Sequence, residues 1–277
     1  MTKFPYKRIV SYGCSITAGS ELGTASVYGM TDDQIKEFVK VNQIDNIQKL
    51  HDIVDFANAH ENYLKIEKLD ATLSWPNYIA AHFNVPLDNR AIGGSSLSSA
   101  THNILKDLHN SDINNDDLVL VGITGPFRWF QYDEDGGTSG GVVGTPHWKK
   151  TPLEYQTQLQ KHYFNRYNLL YAHFKEIAFI SNLSDTLNGR IKLCYAMHGI
   201  ETLKLIFHND LKEKHFAEFF DFCINMCPSH NFIEKTVVLD ILQIRPSERH
   251  PFGHPKVKYH KEFADILITK LEAMYSD

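Results

Sequence analysis

Cysteine is scarce in this chain: Cys14, Cys194, Cys223 and Cys227 are the four among 277 residues. So thin and uneven a supply excludes the dense disulfide framework of a small secreted domain and makes reduced thiols the expectation. Long apolar runs are missing too. No stretch approaches the roughly 20 apolar residues of a membrane helix. The opening Met1-Thr2-Lys3-Phe4-Pro5-Tyr6-Lys7-Arg8 lacks the apolar core of a signal peptide. Excess charge of one sign is also absent, with 28 Lys and Arg against 33 Asp and Glu, a formal charge of -5. No basic stripe marks a nucleic-acid surface and no acidic tail marks disorder. The expectation is a cytoplasmic protein with neither nucleic acid nor membrane as partner; nothing in the pattern bears on oligomeric state.

What is present suits a sizeable core: 43% of residues are hydrophobic and 22% charged. The pattern predicts one domain over residues 1–277, with a helical insertion at about 20–72. A β-rich run at residues 8–12 ends at Gly13. The insertion holds two helix-like blocks, 32–41 and 47–59. Ser74-Trp75-Pro76 reads as a helix start, with Ser as cap and Pro in the first turn. A second strand is expected at 85–91, and a helix at 95–108. Residues 117–123 form a nearly continuous apolar run, as in a strand buried on both faces of a parallel sheet. Further helices are expected at about 152–179, 185–198, 211–226 and 258–274, and further strands at 203–208 and 236–241. Strands alternating with helices argue for a three-layer αβα sandwich around a mostly parallel five-stranded sheet. The glycine-rich segment 136–141 lacks the lysine of a phosphate-binding loop, so no nucleotide cofactor is expected.

In such sheets ligands bind at the carboxyl ends of the strands. Four segments sit there or before the last helix. Gly13-Cys14-Ser15-Ile16-Thr17-Ala18-Gly19 puts a serine on a strand-to-helix turn, where a nucleophile is exposed beside a backbone N–H. Thr17 stands where a Gly-x-Ser-x-Gly elbow would need glycine, so this is not that elbow. A helix-capping serine in a plain glycine turn is the competing reading. Asn89-Arg90-Ala91-Ile92-Gly93-Gly94-Ser95-Ser96 offers paired glycines that let a backbone N–H come close to a reacting oxygen. Gly122-Ile123-Thr124-Gly125 offers a hydroxyl donor. Glu248-Arg249-His250-Pro251-Phe252-Gly253-His254-Pro255 carries two histidines, the usual base for a serine nucleophile.

The order and context of these pieces resemble the SGNH/GDSL hydrolases, in a divergent branch of the kind seen among phage and bacterial proteins. The resemblance spans nearly the whole chain and implies an esterase, with carbohydrate O-acetyl groups as a plausible substrate. It implies Ser15 as nucleophile and His254 as base. It also implies the Ser15 N–H, the Gly94 N–H and the Thr124 hydroxyl as oxyanion donors. The chain departs from the family at Cys14, which replaces the usual Asp and is itself an alternative nucleophile if its thiolate is stabilised. It departs again at Thr124, which replaces Asn, and at Phe252 and Pro251, where the acid would stand. Three arrangements stay open for the acid: a Ser-His dyad, Glu248 reaching back to His254, or His250 as base with Glu248 as acid. Arg128 and Trp129, just after the third strand, are candidates for a substrate wall, with Arg128 holding an anionic substituent. Cys223 and Cys227, with His230 nearby, lack a fourth zinc ligand and read as core thiols; no metal is expected. The competing function is a non-catalytic glycan-binding or structural module on the same fold.

Overall fold

Residues 8–12 alternate between the two faces of a sheet, and the computed structural model places Ile9 and Val10 in opposite cores. It describes residues 4–44, 47–55, 58–93, 95–126, 128–132, 138–142, 166–196, 199–227, 244–251 and 253–276. In chain order the elements begin with β1 (Arg8–Tyr12), α1 (Ser15–Ala18), α2 (Thr24–Tyr28), α3 (Asp32–Val41), α4 (Ile47–Val54) and α5 (Ala59–Leu73). There follow α6 (Trp75–Phe83), β2 (Leu87–Asn89), α7 (Leu97–His109), β3 (Asp117–Gly122), β4 (Arg128–Tyr132) and β5 (Thr138–Val142). The last are α8 (Arg166–Thr186), β6 (Ile191–Cys194), α9 (Ile200–Ile206), α10 (Lys214–Asn225) and α11 (Val257–Met274).

The main sheet is parallel, ordered β2-β1-β3-β6. From β1 the chain first adds β2 on one side and then β3 on the other. That reversal opens a crevice at the carboxyl ends of β1 and β3, where ligands bind in sheets of this kind. One face packs Val10, Tyr12, Val119, Val121, Ile191 and Leu193 against α7, α8, α9 and α10. The other packs Ile9, Leu118, Leu120 and Cys194 against α6 and α11. Every residue of β3 is buried, as its unbroken apolar run demands. Asp117 is tolerated there because the Arg8 guanidinium grips both its oxygens, at 3.0 and 2.6 Å. Among the described residues no helix is long and apolar enough to cross a membrane.

The α/β class and its three layers are as expected, and the differences are local. The described sheet has four strands, not five; the fifth expected, at 236–241, lies outside the described residues. Two assignments are exchanged. Residues 203–208, expected as a strand, fall largely in helix α9, and 191–194, expected within a helix, form β6. Thr202, Leu203 and Phe207 are buried while Lys204 and Leu205 are exposed, a helical period hidden within a short apolar run. The four residues of β6 are buried throughout, as parallel pairing to β3 requires. Part of the glycine-rich segment, Thr138–Val142, is strand β5, antiparallel to β4 in a hairpin apart from the main sheet. Finally, the insertion holds α2 and the 15-residue α5 besides the two helices expected. It has a small core of its own around Ile35, Ile44 and Leu50.

Candidate active site

The turn after β1 is built around a tight fit. Gly13 has φ 151°, and a Cβ on it would lie 2.4 Å from Thr17 Oγ1. A Cβ on Gly122, at the end of β3, would lie 2.1 Å from the same atom. Only with both side chains absent can α1 start at once after β1, with Ser15 as its first residue. The Gly13 carbonyl accepts from the Ser95 hydroxyl at 2.8 Å and from the Ile92 N–H at 3.1 Å, tying the paired-glycine segment to the serine turn. Gly93 lies against Ser15, a Cβ there falling 3.9 Å from Ser15 Cβ.

His254 arrives from the other end of the chain. His250 N–H donates to the His254 carbonyl at 2.8 Å and Gly253 N–H to the His250 carbonyl at 2.9 Å. These bonds close a compact turn before α11. His254 Nε2 lies 2.8 Å from Ser15 Oγ. Its Nδ1 is hydrogen-bonded to Glu21 Oε2, and the same oxygen accepts the His254 backbone N–H at 3.3 Å. With Nδ1–H donated to the carboxylate, Nε2 carries the lone pair and accepts from the serine hydroxyl. The Glu21 side chain is 2% exposed and that of His254 23%, so the acid is sealed while the imidazole edge stays open.

Glu21 did not stand out in the sequence. It lies in the polar stretch just after the serine turn, before any periodic segment. Its backbone is left-handed, with φ 75°. That costs a non-glycine residue about 1–2 kcal/mol. Asp70, buried on α5, offsets the cost. Its Oδ2 accepts the Glu21 N–H at 3.2 Å and its Oδ1 the Gly23 N–H at 2.6 Å. Such hydrogen bonds contribute about 0.5–1.5 kcal/mol each, more where the acceptor is charged, and the two together offset that cost. Burial pushes the Asp70 carboxyl up to about 7, although those two N–H groups pull it down.

The remaining candidates find other places. His250 Nδ1 faces Asp32 Oδ1 at 3.0 Å, and its Nε2 is buried without a hydrogen-bond partner among the described residues. Burial lowers its pKa, with Asp32 opposing. Glu248 turns to α11, accepting from Lys258 Nζ at 2.5 Å and from the Tyr259 hydroxyl at 2.8 Å. Lys258 holds its carboxyl below the usual range. The structure thus brings Ser15 and His254 together with Glu21, and pairs His250 and Glu248 elsewhere. Cys14, weighed as an alternative nucleophile, is fully buried in the core beneath α6 and α11. Thr124 is fully buried and its Oγ1 has no hydrogen-bond partner among the described residues. Gly94 and Phe252 lie outside the described residues. Arg128 and Trp129 stand on β4 of the hairpin. Cys223 and Cys227 are core thiols, and burial raises Cys223 to about 11; His230 lies outside the described residues. Among the described residues no group of three His, Cys, Asp or Glu side chains could hold a metal ion.

No protein-family model and no curated protein matches the chain. Solved structures of similar course include a carbohydrate esterase whose active site displays divergent catalytic and non-catalytic binding functions. It is 14% identical, with TM-score 0.46, over 96% of this chain and 68% of that one. An acetylxylan esterase from Geobacillus stearothermophilus is 12% identical, with TM-score 0.47, over 98% and 96%. A protein assigned to the G-D-S-L lipolytic family, from Desulfitobacterium hafniense DCB-2, is 11% identical, with TM-score 0.38, over 95% and 99%. Nothing about the chemistry follows from likeness at this level; the site's own atoms carry it.

Proposed function

We propose that the chain is a serine hydrolase of the SGNH type that cleaves esters, with O-acetyl groups on carbohydrates as its substrate class. The observation that carries this reading is the unbroken hydrogen-bonded series Ser15–His254–Glu21. Ser15 Oγ attacks the ester carbonyl carbon as its proton passes to His254 Nε2. Glu21 holds Nδ1–H and stabilises the imidazolium that forms. The tetrahedral intermediate collapses as His254 returns the proton to the leaving alcohol. Water, deprotonated by the same imidazole, then releases the acid from Ser15. The oxyanion falls to the N–H groups of Ser15 and Gly94 and to the Thr124 hydroxyl, which has no hydrogen-bond partner among the described residues. Arg128 and Trp129, on the hairpin after β3, form the substrate wall. No cofactor is needed for any step.

The competing reading, a non-catalytic glycan-binding or structural module, rests on the missing acid beside His254 and on the altered first and third blocks, at Cys14 and Thr124. Glu21 supplies a carboxylate at that imidazole, which favours catalysis. The purified protein is expected to hydrolyse p-nitrophenyl acetate, to release acetate from acetylated oligosaccharides, and to be labelled by a fluorophosphonate. Ser15→Ala is expected to abolish all three. Equal turnover by wild type and Ser15→Ala would sink the ester-hydrolase reading, and glycan binding without labelling would favour the module.

A further inference from the structure

The helices of the insertion touch the candidate site from two sides, and the chemistry proposed above uses only Glu21, at the insertion's start. From one side α5 brings Asp70, whose two oxygens capture the N–H groups of Glu21 and Gly23. These bonds cross 49 and 47 residues, so the turn that carries the acid is held from outside. From the other side α3 brings Asp32, its first residue. Asp32 Oδ1 lies 3.0 Å from His250 Nδ1 and Oδ2 lies 3.1 Å from Lys256 Nζ. One turn further, Lys36 Nζ donates to the Ser247 carbonyl at 3.3 Å. His250, Lys256 and Ser247 flank the turn that presents His254.

We propose that the insertion is a positioning device for the Glu21–His254 pair, with Asp70 the positioning residue for Glu21 and Asp32 the one for the His254 turn. This rests on reading Ser15, His254 and Glu21 as the catalytic series. Neither aspartate touches a reacting atom. Asp70 acts through the backbone: it fixes the left-handed turn that aims the Glu21 carboxylate at Nδ1. An amide at position 70 keeps one acceptor and turns its NH2 toward a backbone donor, so half of the grip is lost. Asp32 acts through His250, whose N–H in turn holds the His254 carbonyl. A misaligned acid leaves substrate binding intact and weakens the base, so the effect falls on kcat.

The test uses the full chain with Asp70→Ala, Asp70→Asn, Asp32→Asn and, as reference, Glu21→Gln. Turnover of p-nitrophenyl acetate is expressed per active site, counted with a fluorophosphonate. The hydrogen-bonded Nδ1 proton of His254 is followed by NMR. Asp70→Ala is expected to lower kcat about 10- to 100-fold, the range for loss of a group that orients a functional ligand, with KM within about twofold. Asp70→Asn is expected to lose less, and Asp32→Asn least. In each, the Nδ1 proton resonance moves toward its position in Glu21→Gln, because the carboxylate no longer sits squarely on Nδ1. Folded Asp70 variants with unchanged kcat per site and an unmoved Nδ1 proton resonance would overturn the proposal. A merely structural role predicts that result, with a lower Tm. If Asp70→Ala does not fold, Asp70→Asn decides. If the wild type shows no Ser15-dependent turnover, the ester reading fails by itself, and the NMR comparison still decides the positioning role.

Discussion

His250 and His254 sit four residues apart in one turn, each followed by proline, and each sets Nδ1 against a carboxylate from the region after β1. They differ in what the second ring nitrogen meets. His254 Nε2 reaches Ser15 Oγ at 2.8 Å, whereas His250 Nε2 is buried and meets no donor or acceptor among the described residues. Side-chain exposure of 23% against 6% marks the same contrast. A histidine with a carboxylate behind it is therefore not yet a base. It becomes one when the opposite nitrogen faces a nucleophile and the ring edge stays open to substrate. His250 uses the same chemistry to hold a turn.

The most forceful way to break this comparison is to remove each ring. His254→Ala is expected to lower kcat about 10⁴-fold or more, the scale of losing a base from a serine triad. Glu21→Gln is expected to approach that loss, since the amide favours the wrong tautomer. His250→Ala is expected to cost about tenfold, the lower end of the range for an orienting group. Steady-state hydrolysis of p-nitrophenyl acetate by folded variants checks this, and equal losses at the two histidines would erase the distinction.

A smaller effect sharpens it. Like His250 Nε2, Thr124 Oγ1 is buried and has no partner among the described residues, yet it stands just beyond β3, at the crevice. Thr124→Val removes the hydroxyl and keeps the shape. If the hydroxyl serves the oxyanion, kcat falls about 10²-fold, while Tm holds or rises, because an unpaired buried hydroxyl costs about 1–3 kcal/mol. A lower Tm with unchanged kcat would assign it to the core.

The smallest expected effect concerns pH. Burial lowers the pKa of His250, and that of His260 to about 3. Between those values and the ordinary 6.5, the unfolded chain binds more protons than the folded one. The stability these two rings contribute is present above about 6.5 and lost as pH falls through their folded values. Asp70 runs the other way: its contribution is present below about 4, the ordinary carboxyl value, and fades as pH rises through about 7. Between pH 7.5 and 4 these effects oppose, so Asp70→Asn should make Tm fall toward acid relative to the wild type, and adding His260→Gln should flatten that fall.

How much was legible follows from where each signal lies. β1, α3, β3 and α11 declare themselves through local patterns, and their observed limits lie within a residue or two of those expected. Ser15 and His254 were marked by glycine turns and His-Pro pairs. At 185–208 the local patterns misled, because runs of four to seven apolar residues fit a buried strand and a packed helix equally well. The separation of His254 from His250, which the resemblance implied, was decided when the fold set His254 Nε2 against Ser15 Oγ.

The sequence by itself determined that this chain builds a parallel α/β layer and puts a serine at the end of its first strand, since buried strands and glycine turns are written in consecutive residues. The acid was the tertiary structure's to decide. Glu21 lies 233 residues from His254, in a turn made by no pattern of its own and held by an aspartate 49 residues further along. A carboxylate's role depends on which imidazole the folded chain brings within hydrogen-bond reach, and that proximity has no local signature.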